Sequence, residues 1–373
     1  MKTNRLPAAK GFVVCEMILD NPSALNALTP DMARDARIAL REWAADDSVA
    51  AVVLRGAGER AFCAGGDVRF VRDRICAGDA AAADAYFADE YLLDYALHCF
   101  AKPLICRGGG VLMGGGMGIF QGCDVRVVAP NTKAAMPECK IGFFPDVGAA
   151  FFMDRFRDAP QTGYYLGLSG RVLDGETALQ IGAADVLLAD DSYDEMLSAL
   201  LAAEWNVADK KAAARRAVQT PQTPARTPQN SGFADIRATA EKCWRAAQSG
   251  GTDAAIAALP EAEREIAAAA SPLSLRVWTE HYLRRRRFPK GENGATSAAA
   301  RARLREIFAR DYVLARNFLR RGDFAEGVRA LLTDKDNAPE WRAPADNSAV
   351  AAMFEPLADK TEKEFNRRLA ELD

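Results

Sequence analysis

Three short segments of the chain carry residues that could perform chemistry on a carbonyl group. The first is residues 61–67, AFCAGGD, and the second is residues 113–118, MGGGMG. The third, residues 136–148, contains Glu138 and Asp146. The first two place small residues at a predicted strand-to-helix turn, where backbone N–H groups lack a partner and can point at a developing oxyanion. With two carboxylates following, the segments together predict an enzyme that acts on an acyl group.

The glycine turns supply the candidate oxyanion donors, which we predict to be the N–H groups of Gly66 and Gly115. A side chain at such a turn would block close approach of the backbone to a ligand, and the turn often needs a positive φ that glycine adopts easily. Each glycine precedes a predicted helix, whose dipole adds partial positive charge. A single turn of this kind is more often only a tight turn, but two turns with an acidic partner favour catalysis.

The candidate acids Glu138 and Asp146 stand eight residues apart, and each directly follows a proline. Proline stiffens the backbone, so both carboxylates can project reproducibly into one cleft. Carboxylates so placed can act as general acid, general base or nucleophile.

The composition excludes several classes of partner. The chain has 373 residues, of which 49% are hydrophobic and 27% charged, with a net charge of −3. It has no basic footprint, so we predict no nucleic-acid partner. No window of about 18 apolar residues occurs, which predicts no membrane partner. The first residues show no apolar run of the signal-peptide type, so we expect a cytoplasmic protein.

Cysteines and histidines give no sign of a metal or a catalytic triad. Eight cysteines form no C-x-x-C pair, and we interpret them as free thiols of a reducing compartment. The chain has two histidines, His98 and His281, too few for a zinc hydrolase or a Ser-His-Asp triad to be favoured. We expect no metal and no cofactor.

The elements that position these residues alternate between strands and helices over the first 200 residues, roughly, which is typical of an α/β fold. Apolar runs predict strands over residues 12–19, 49–54, 103–107, 125–128, 134–136 and 184–188. Helical spacing predicts helices over residues 31–43, 68–75 and 80–100.

The composition changes near residue 207, where Ala, Gln, Thr and Pro become frequent and three Thr-Pro pairs follow. Such a segment cannot fill a core and is typical of a linker. We therefore predict a catalytic core over residues 1–206, a linker over 207–231 and an α-helical C-terminal region over 232–373. The helices predicted in that region are 253–270, 273–286, 297–320 and 362–372.

The chain resembles the crotonase superfamily of enoyl-CoA hydratases and isomerases, most closely its 3-hydroxyisobutyryl-CoA hydrolase branch. The resemblance covers nearly the whole length, and its segments are 21–28 (NPSALNAL), 61–67, 113–118, 136–138 (MPE), 141–148 (IGFFPDVG), 271–275 (SPLSL) and 324–330 (FAEGVRA). It implies an α/β fold, a crotonase-like spiral of ββα units with an α-helical C-terminal region. It also implies an acyl-CoA substrate and a possible homo-oligomer.

The resemblance assigns roles to single residues. Gly66 and Gly115 match the oxyanion-hole positions of the family, and Glu138 matches the acid that acts on the thioester. Asp146 matches a second carboxylate of the hydrolases. Glu90 falls where this branch places a further substrate-contacting acid, for the hydroxyl end of the acyl group.

One departure from the family pattern favours the hydrolase branch. Hydratases carry a glutamate three residues after the oxyanion glycine, where this chain has Gly118. The resemblance therefore implies hydrolysis of a 3-hydroxyacyl thioester, such as 3-hydroxyisobutyryl-CoA in valine breakdown or 3-hydroxypropionyl-CoA. The alternatives are an enoyl-CoA hydratase or isomerase, and a catalytically silent module that binds acyl-CoA or serves in assembly.

Two mechanisms are compatible with hydrolysis of the thioester. Glu138 can attack the thioester to form a mixed anhydride, or it can act as a base on water. Asp146 can bind the 3-hydroxyl group, orient water or protonate the leaving thiolate.

Overall fold

The computed structural model describes residues 1–189, 192–219, 231–285, 297–357 and 359–372. Much of the predicted linker 207–231 and the last residue of the predicted helix 273–286 lie outside these ranges. The chain divides into two compact units, which interleave along the sequence. The first unit comprises Met1–Gly66, Ala96–Ala134 and Val172–Asn230, and the second comprises Asp67–Tyr95, Ala135–Arg171 and Ser231–Asp373. The domain bounds predicted at residues 206 and 232 stay a prediction.

The strands form one larger and one smaller sheet. In chain order, β1 to β9 are Lys2–Pro7, Val13–Leu19, Val49–Gly56, Ala61–Cys63, Leu104–Gly108, Val111–Met113, Val125–Val128, Lys133–Ala135 and Val186–Leu187. The larger sheet has the order β1-β2-β3-β5-β7-β9, and the smaller has the order β4-β6-β8. Strand β1 pairs antiparallel with β2, whereas β2, β3, β5, β7 and β9 pair in parallel.

Parallel strands that are covered on both faces explain the apolar runs of the first unit. The strand β3 is buried along most of its length. Its side chains join a core with those of β5 and β7 and with Leu200, Trp205 and Ala214 from the segments that follow β9. The predicted strands 49–54, 103–107 and 125–128 are confirmed to within two residues.

Three strands were not predicted because their sequences lack an apolar period. The strand β1, KTNRLP, is largely exposed and forms because it pairs with β2 over its whole length. The strands β4 and β6 are three residues long, too short for a periodic signal. Both nevertheless lead into the glycine turns, as the sequence predicted.

The helices have the following bounds. In chain order, α1 to α16 are Pro30–Ala45, Val68–Cys76, Ala80–Cys99, Gly115–Gln121, Ala149–Phe152, Gln161–Ser169, Gly175–Gln180, Tyr193–Ala202, Lys210–Val218, Ser231–Ala257, Glu261–Ala269, Pro272–Leu283, Ala298–Arg321, Phe324–Val328, Asn347–Met353 and Lys360–Ala370. Short 3₁₀ turns cover Ala9–Gly11, Pro22–Ala24, Glu138–Ile141 and Met153–Arg155, and a π-helical turn covers Arg329–Thr333.

Local signals explain several helix ends. The side chain of Thr29 accepts a hydrogen bond from the Met32 N–H at the start of α1, and Ser297 accepts one from Ala300 at the start of α13. The single helix predicted over 253–270 is wrong. It is divided between α10 and α11 because Pro260, which has no N–H to donate, stands at the start of α11.

The core of the second unit is rich in aromatic rings. Phe143 lies between the rings of Phe87, Phe318 and Phe324, with ring centroids 5.2 to 5.4 Å apart. The helix α13 supplies a long buried face to this core. No helix in the described ranges is both long enough and apolar enough to cross a membrane.

Candidate active site

The two glycine turns come together in the first unit because the strands before them are parallel neighbours. Ala61 of β4 pairs with Val111 of β6, and Cys63 pairs with Leu112. Parallel strands end at the same edge, so the turns that follow them are adjacent. A Cβ atom placed on Gly65 would lie 3.5 Å from the backbone nitrogen of Gly115.

The conformation of both turns requires glycine. Gly65 has a φ of +112° and Gly114 has a φ of +54°, which L side chains rarely adopt. A Cβ atom on Gly116 would lie 2.4 Å from the carbonyl oxygen of Cys63, so only glycine lets α4 approach β4 this closely. The smallness of these residues is thus a structural requirement of the turns.

The predicted donors are available in this arrangement. In the part of the chain that the structure describes, neither the Gly66 N–H nor the Gly115 N–H donates a hydrogen bond to another protein group. Neighbouring groups are satisfied, since the Leu28 N–H donates to the Gly65 carbonyl at 2.9 Å and the Ala64 N–H donates to the Leu25 carbonyl at 3.0 Å. The turns are therefore fixed while two donors stay open. Their role as an oxyanion hole stays a prediction.

Glu138 lies in the second unit, at the first position of a 3₁₀ turn. Its side chain is buried, and among the described residues no group donates a hydrogen bond to its Oε2 atom. The turn ends at Gly142, where a Cβ atom would lie 2.5 Å from the carbonyl oxygen of Asp323, and Gly327 approaches Ile141 as closely. The segment 324–330 thus packs against the turn that carries Glu138.

Asp146 is buried and is held by a tyrosine. The Tyr91 hydroxyl donates a hydrogen bond to Asp146 Oδ2 at 2.6 Å. The backbone after Asp146 turns sharply, since Val147 and Gly148 have φ angles of +49° and +78°. The Ala149 N–H closes the turn on the Asp146 carbonyl at 2.8 Å.

Glu90, on α3, is buried beside these two acids. The fully folded chain leaves 2% of Glu90, 4% of Asp146 and 6% of Glu138 exposed. A hydrogen bond from Tyr86 supports the ionised form of Glu90. The structure therefore brings together the three acids that the sequence singled out.

Burial and mutual repulsion shift the acidity of this cluster. Burial, followed by the charge of Asp146, raises the pKa of both Glu90 and Glu138 well above its usual value. Burial also raises the pKa of Asp146 to about 8, with a further contribution from the charge of Asp311 and an opposing one from the Tyr91 hydrogen bond. Like charges in a buried site do not all ionise, so the cluster retains protons at neutral pH.

Three residues at this site were missed by sequence reasoning, namely Tyr91, His281 and Asp311. Asp311 Oδ2 accepts a hydrogen bond from the Gly148 N–H at 2.9 Å, across 163 residues of chain. His281 Nε2 lies 2.9 Å from Asp311 Oδ1. Tyr91 could have been suspected as the neighbour of Glu90, but nothing local in the sequence links α12 and α13 to Asp146.

A cysteine nucleophile and a metal ion are the other kinds of chemistry to consider at this site. Cys63 is buried, and its thiol lies 3.4 Å from the Gly65 carbonyl oxygen, as expected of a packing residue. Within the described ranges, no group of three or more His, Cys, Asp or Glu side chains is arranged to hold a metal ion.

The chain matches the model of a known protein family and is similar to several named proteins. Residues 14–356 match the family model described as enoyl-CoA hydratase/isomerase. The chain is 31% identical over 361 residues to a protein of Danio rerio named 3-hydroxyisobutyryl-CoA hydrolase, mitochondrial. The aligned region covers 94% of this chain and 87% of that protein. It is also 31% identical over 340 residues to the small ribosomal subunit protein mS47 of Neurospora crassa, covering 88% of this chain and 65% of that protein.

A solved structure has a similar fold. The crystal structure of a carnitinyl-CoA dehydratase from Mycobacterium thermoresistibile superposes with a TM-score of 0.76 at 31% identity. The match covers 96% of this chain and 98% of that protein. The similarity thus extends from the strands of the first 190 residues, roughly, into the helices that follow.

Proposed function

Since the chain belongs to the enoyl-CoA hydratase/isomerase family, we propose that it hydrolyses the thioester of a 3-hydroxyacyl-CoA, with 3-hydroxyisobutyryl-CoA as the first candidate substrate. Family membership and the α/β crotonase fold with a helical C-terminal region confirm the resemblance and the fold class predicted from the sequence. Two of the relatives are named as acyl-CoA enzymes, a 3-hydroxyisobutyryl-CoA hydrolase and a carnitinyl-CoA dehydratase. The specific reaction and the residue roles below are our proposal.

The pairing of Glu138 with Asp146 carries the proposal. Both carboxyl groups are buried, they interact electrostatically, and Tyr91 holds Asp146 in place. Hydration would need a second acid on α4, where the chain has the buried residue Gly118. A second acid at position 146 instead supports hydrolysis.

In the proposed reaction, an oxygen atom of water, or first of Glu138, bonds to the thioester carbonyl carbon and the bond from that carbon to sulfur breaks. Where Glu138 attacks first, water then opens the anhydride and restores the Glu138 carboxyl group. The N–H groups of Gly66 and Gly115 stabilise the negative charge on the carbonyl oxygen. The products are the 3-hydroxy acid and the thiol of coenzyme A, so one proton from water must reach the departing thiolate.

We assign the reacting roles to the carboxyl pair in its singly protonated form. Glu138 acts after losing its proton, which burial and the charge of Asp146 make costly by raising its pKa, and it then either attacks the carbonyl carbon or removes a proton from water. Asp146, with a pKa raised to about 8, holds its proton at neutral pH and donates it to the thiolate. Glu90 binds the 3-hydroxyl group of the acyl chain.

The test is release of free thiol from a panel of acyl-CoA thioesters, followed with a thiol reagent. We expect turnover of 3-hydroxyisobutyryl-CoA and 3-hydroxypropionyl-CoA, and slower turnover of isobutyryl-CoA, which lacks the hydroxyl group. Thiol release at the uncatalysed rate from the whole panel would overturn the proposal.

A single turnover in ¹⁸O-labelled water separates the two roles of Glu138. If Glu138 attacks the carbonyl and water then opens the resulting anhydride at the glutamyl carbonyl, label enters the Glu138 side chain. If Glu138 acts as a base, or if water opens the anhydride at the substrate carbonyl, label enters only the product acid, so label in Glu138 establishes the anhydride. Mass spectrometry of the peptide that contains Glu138 distinguishes these outcomes.

Hydration or isomerisation of an enoyl-CoA is the second candidate, favoured by the solved structure that is named a carnitinyl-CoA dehydratase. It predicts a change in absorbance with crotonyl-CoA and no release of thiol. The same protein preparation serves for both assays, so one experiment decides between the two reactions.

A silent module is the third candidate, and the similarity to a ribosomal protein supports it. It predicts that acyl-CoA binds without being turned over, and that Glu138→Gln changes no activity. Equilibrium binding of a non-hydrolysable acyl-CoA thioether, beside the thiol assay, tests it.

The compartment and the assembly state are further parts of the proposal. The Danio rerio relative is named as mitochondrial, whereas the sequence of this chain led us to predict a cytoplasmic protein. Cell fractionation tests the compartment, and light scattering tests whether the chain forms a homo-oligomer.

A further inference from the structure

We propose that Asp311 is a positioning residue for Asp146, that it acts by anchoring the turn that follows Asp146, and that His281 holds Asp311 in place. The inference rests on the proposed function, since it takes Asp146 as a catalytic carboxyl group. It concerns the helices α12 and α13, to which the resemblance assigns no role in the reaction.

The turn after Asp146 is one that its own sequence disfavours. Residues 146–149 form a tight turn in which both central residues, Val147 and Gly148, have positive φ angles of +49° and +78°. Glycine adopts this region at little cost, but a β-branched residue such as valine rarely does. The turn therefore needs contacts from elsewhere in the chain to persist.

Asp311 provides such a contact. Its Oδ2 atom accepts a hydrogen bond from the Gly148 N–H at 2.9 Å, in the middle of the turn. Asp311 is fully buried, so water does not compete for that N–H group. A hydrogen bond to an ionised acceptor is stronger than one to a neutral group.

The same face of α13 also contacts the tyrosine that binds Asp146. Phe308 stands one helical turn before Asp311, and a Cβ atom on Gly148 would lie 3.0 Å from its Cζ atom. The ring centroids of Phe308 and Tyr91 are 6.1 Å apart. Phe308 and Asp311 thus support both the turn that carries Asp146 and the donor of its hydrogen bond.

His281 lies on the other side of Asp311. Its Nε2 atom is 2.9 Å from Asp311 Oδ1, both side chains are fully buried, and the ring of Phe144 stands edge-on at 5.8 Å. Burial lowers the pKa of His281, the nearby Asp311 opposes this shift, and the positive charges of Arg310 and Arg284 make smaller contributions in the direction of burial. The close approach of His281 Nε2 to Asp311 Oδ1, with both side chains enclosed, holds the Asp311 carboxyl group in place.

Asp311 also acts on Asp146 through its charge. The groups that face Asp146 are Tyr91, Glu90 and Glu138, with Asp311 behind the turn. Removing the charge of Asp311 alone leaves the other three groups in place. The proton on Asp146 should then be held less tightly.

Two substitutions separate the anchor from the charge. Asp311→Asn keeps an oxygen that accepts the Gly148 hydrogen bond and removes the charge, whereas Asp311→Ala removes both. We expect kcat to fall about 100-fold in Asp311→Ala with little change in KM, because the acid is misplaced. In Asp311→Asn we expect most of kcat to remain, with the alkaline limb of its pH profile shifted to lower pH.

Infrared spectroscopy provides a readout without turnover. The C=O stretch of a protonated carboxyl group reports Asp146, and its band is assigned by its loss in Asp146→Asn. We expect the titration midpoint of that band to fall by about one pH unit in Asp311→Asn. If the wild-type chain releases no thiol, the proposed function fails, and the infrared titration still decides whether Asp311 controls Asp146.

Asp323→Asn is the matched control. Asp323 is also buried next to α13, and its Oδ1 atom accepts hydrogen bonds from the N–H groups of Arg342 and Ala343 at 3.0 and 2.9 Å. We expect it to lower stability while leaving the infrared midpoint unchanged. Wild-type kcat in a folded Asp311→Ala chain would overturn the anchoring role. An unshifted midpoint in Asp311→Asn, or the same shift in Asp323→Asn, would overturn the role of the charge. If Asp311→Ala does not fold, loss of most of kcat in Asp311→Asn, which keeps the anchor, would overturn the inference.

Discussion

In the first unit the candidate oxyanion donors are backbone groups held by two short segments, whereas in the second unit the candidate acids are side chains held by residues far away in the chain. The glycine turns lie within residues 61–67 and 113–118. The acids depend on α3, on the loop after β8, and on α12 and α13. The hydrogen bond from Gly148 to Asp311 joins that loop to α13 across 163 residues of sequence. The donors are therefore a local property of the sequence, and the acids are a property of the packed unit.

The two regions are also constrained differently, the glycine turns by steric fit and the acids by the cost of burying charge. The glycine turns need small residues, and their neighbouring N–H groups are already satisfied by Gly65 and Leu25. The acids are buried close to one another, which disfavours their ionised forms. Substitutions should accordingly impair the turns through geometry and the acids through charge, and the following predictions test this difference.

The largest effect is expected from Glu138→Gln. The change removes the charge and the nucleophile at nearly constant volume, so kcat should fall by about three orders of magnitude or more while the fold persists. Thiol release measures activity, and circular dichroism measures folding. The control is Glu263→Gln, which alters a partly buried acid bonded to Tyr165 and Arg171 and should retain activity. Turnover by Glu138→Gln at the wild-type rate would exclude a catalytic role for this residue.

The next largest effect is expected from Gly65→Ala. A methyl group there meets the Met113 carbonyl oxygen at 3.4 Å and the Gly115 nitrogen at 3.5 Å, in a backbone with a φ of +112°. These contacts are ordinary van der Waals distances, so it is the φ angle that strains the turn and moves the neighbouring N–H groups; loss of an oxyanion donor typically lowers kcat about 100-fold. Gly11→Ala is the control, because Gly11 also has a positive φ of +80° but nothing within 4 Å. Equal loss of activity in both variants would show that an alanine at a positive φ angle is enough to impair the protein, and that the loss does not report the oxyanion turn.

This contrast explains what the sequence could predict. The glycine turns, Glu138 and Asp146 stand in local motifs. The parallel strands of the core have apolar runs that predict strands without knowledge of the fold. Asp311 stands between Arg310 and Tyr312 on a long helix and has no local mark of function. Its role is visible only once α13 is packed against Gly148.

The strand β1 was missed because its own sequence does not mark it as a strand. Its sequence, KTNRLP, has no apolar period, and it forms by pairing with β2 and by the Asn4 side chain donating to Glu16 at 2.6 Å. The break between α10 and α11 was missed even though its signal, Pro260, is local. Pairing with the neighbouring strand thus accounts for the first error, and an overlooked helix breaker accounts for the second.

The pH dependence of kcat should show which carboxyl group is the acid. Because Asp146 has a pKa raised to about 8 and acts in its protonated form, kcat should fall as pH rises above about 8, approaching tenfold per pH unit. Thiol release between pH 6 and pH 9.5, corrected for uncatalysed hydrolysis, measures this limb. A rate that stays constant to pH 9.5 would remove Asp146 from the role of proton donor.

The smallest effect is expected in the stability of Asp146→Asn, which should lose most activity and yet melt at a higher temperature than the wild-type chain near pH 8. In the unfolded chain Asp146 ionises near its usual pKa of 3.8, while in the folded chain burial holds the pKa at about 8. Between these values the unfolded state has released a proton that the folded state retains, so wild-type stability falls as pH rises from about 4 to about 8.

Asparagine has no such proton, and its oxygen still accepts the Tyr91 hydrogen bond. The difference in melting temperature should therefore be near zero at pH 4 and grow with each pH unit, to its largest value near pH 8. Differential scanning calorimetry of both chains across this range measures it. If the melting temperature of Asp146→Asn exceeds that of the wild-type chain by the same amount at pH 4, the stabilisation comes from packing. That result would contradict the conclusion that charge makes the acids of the second unit costly to bury.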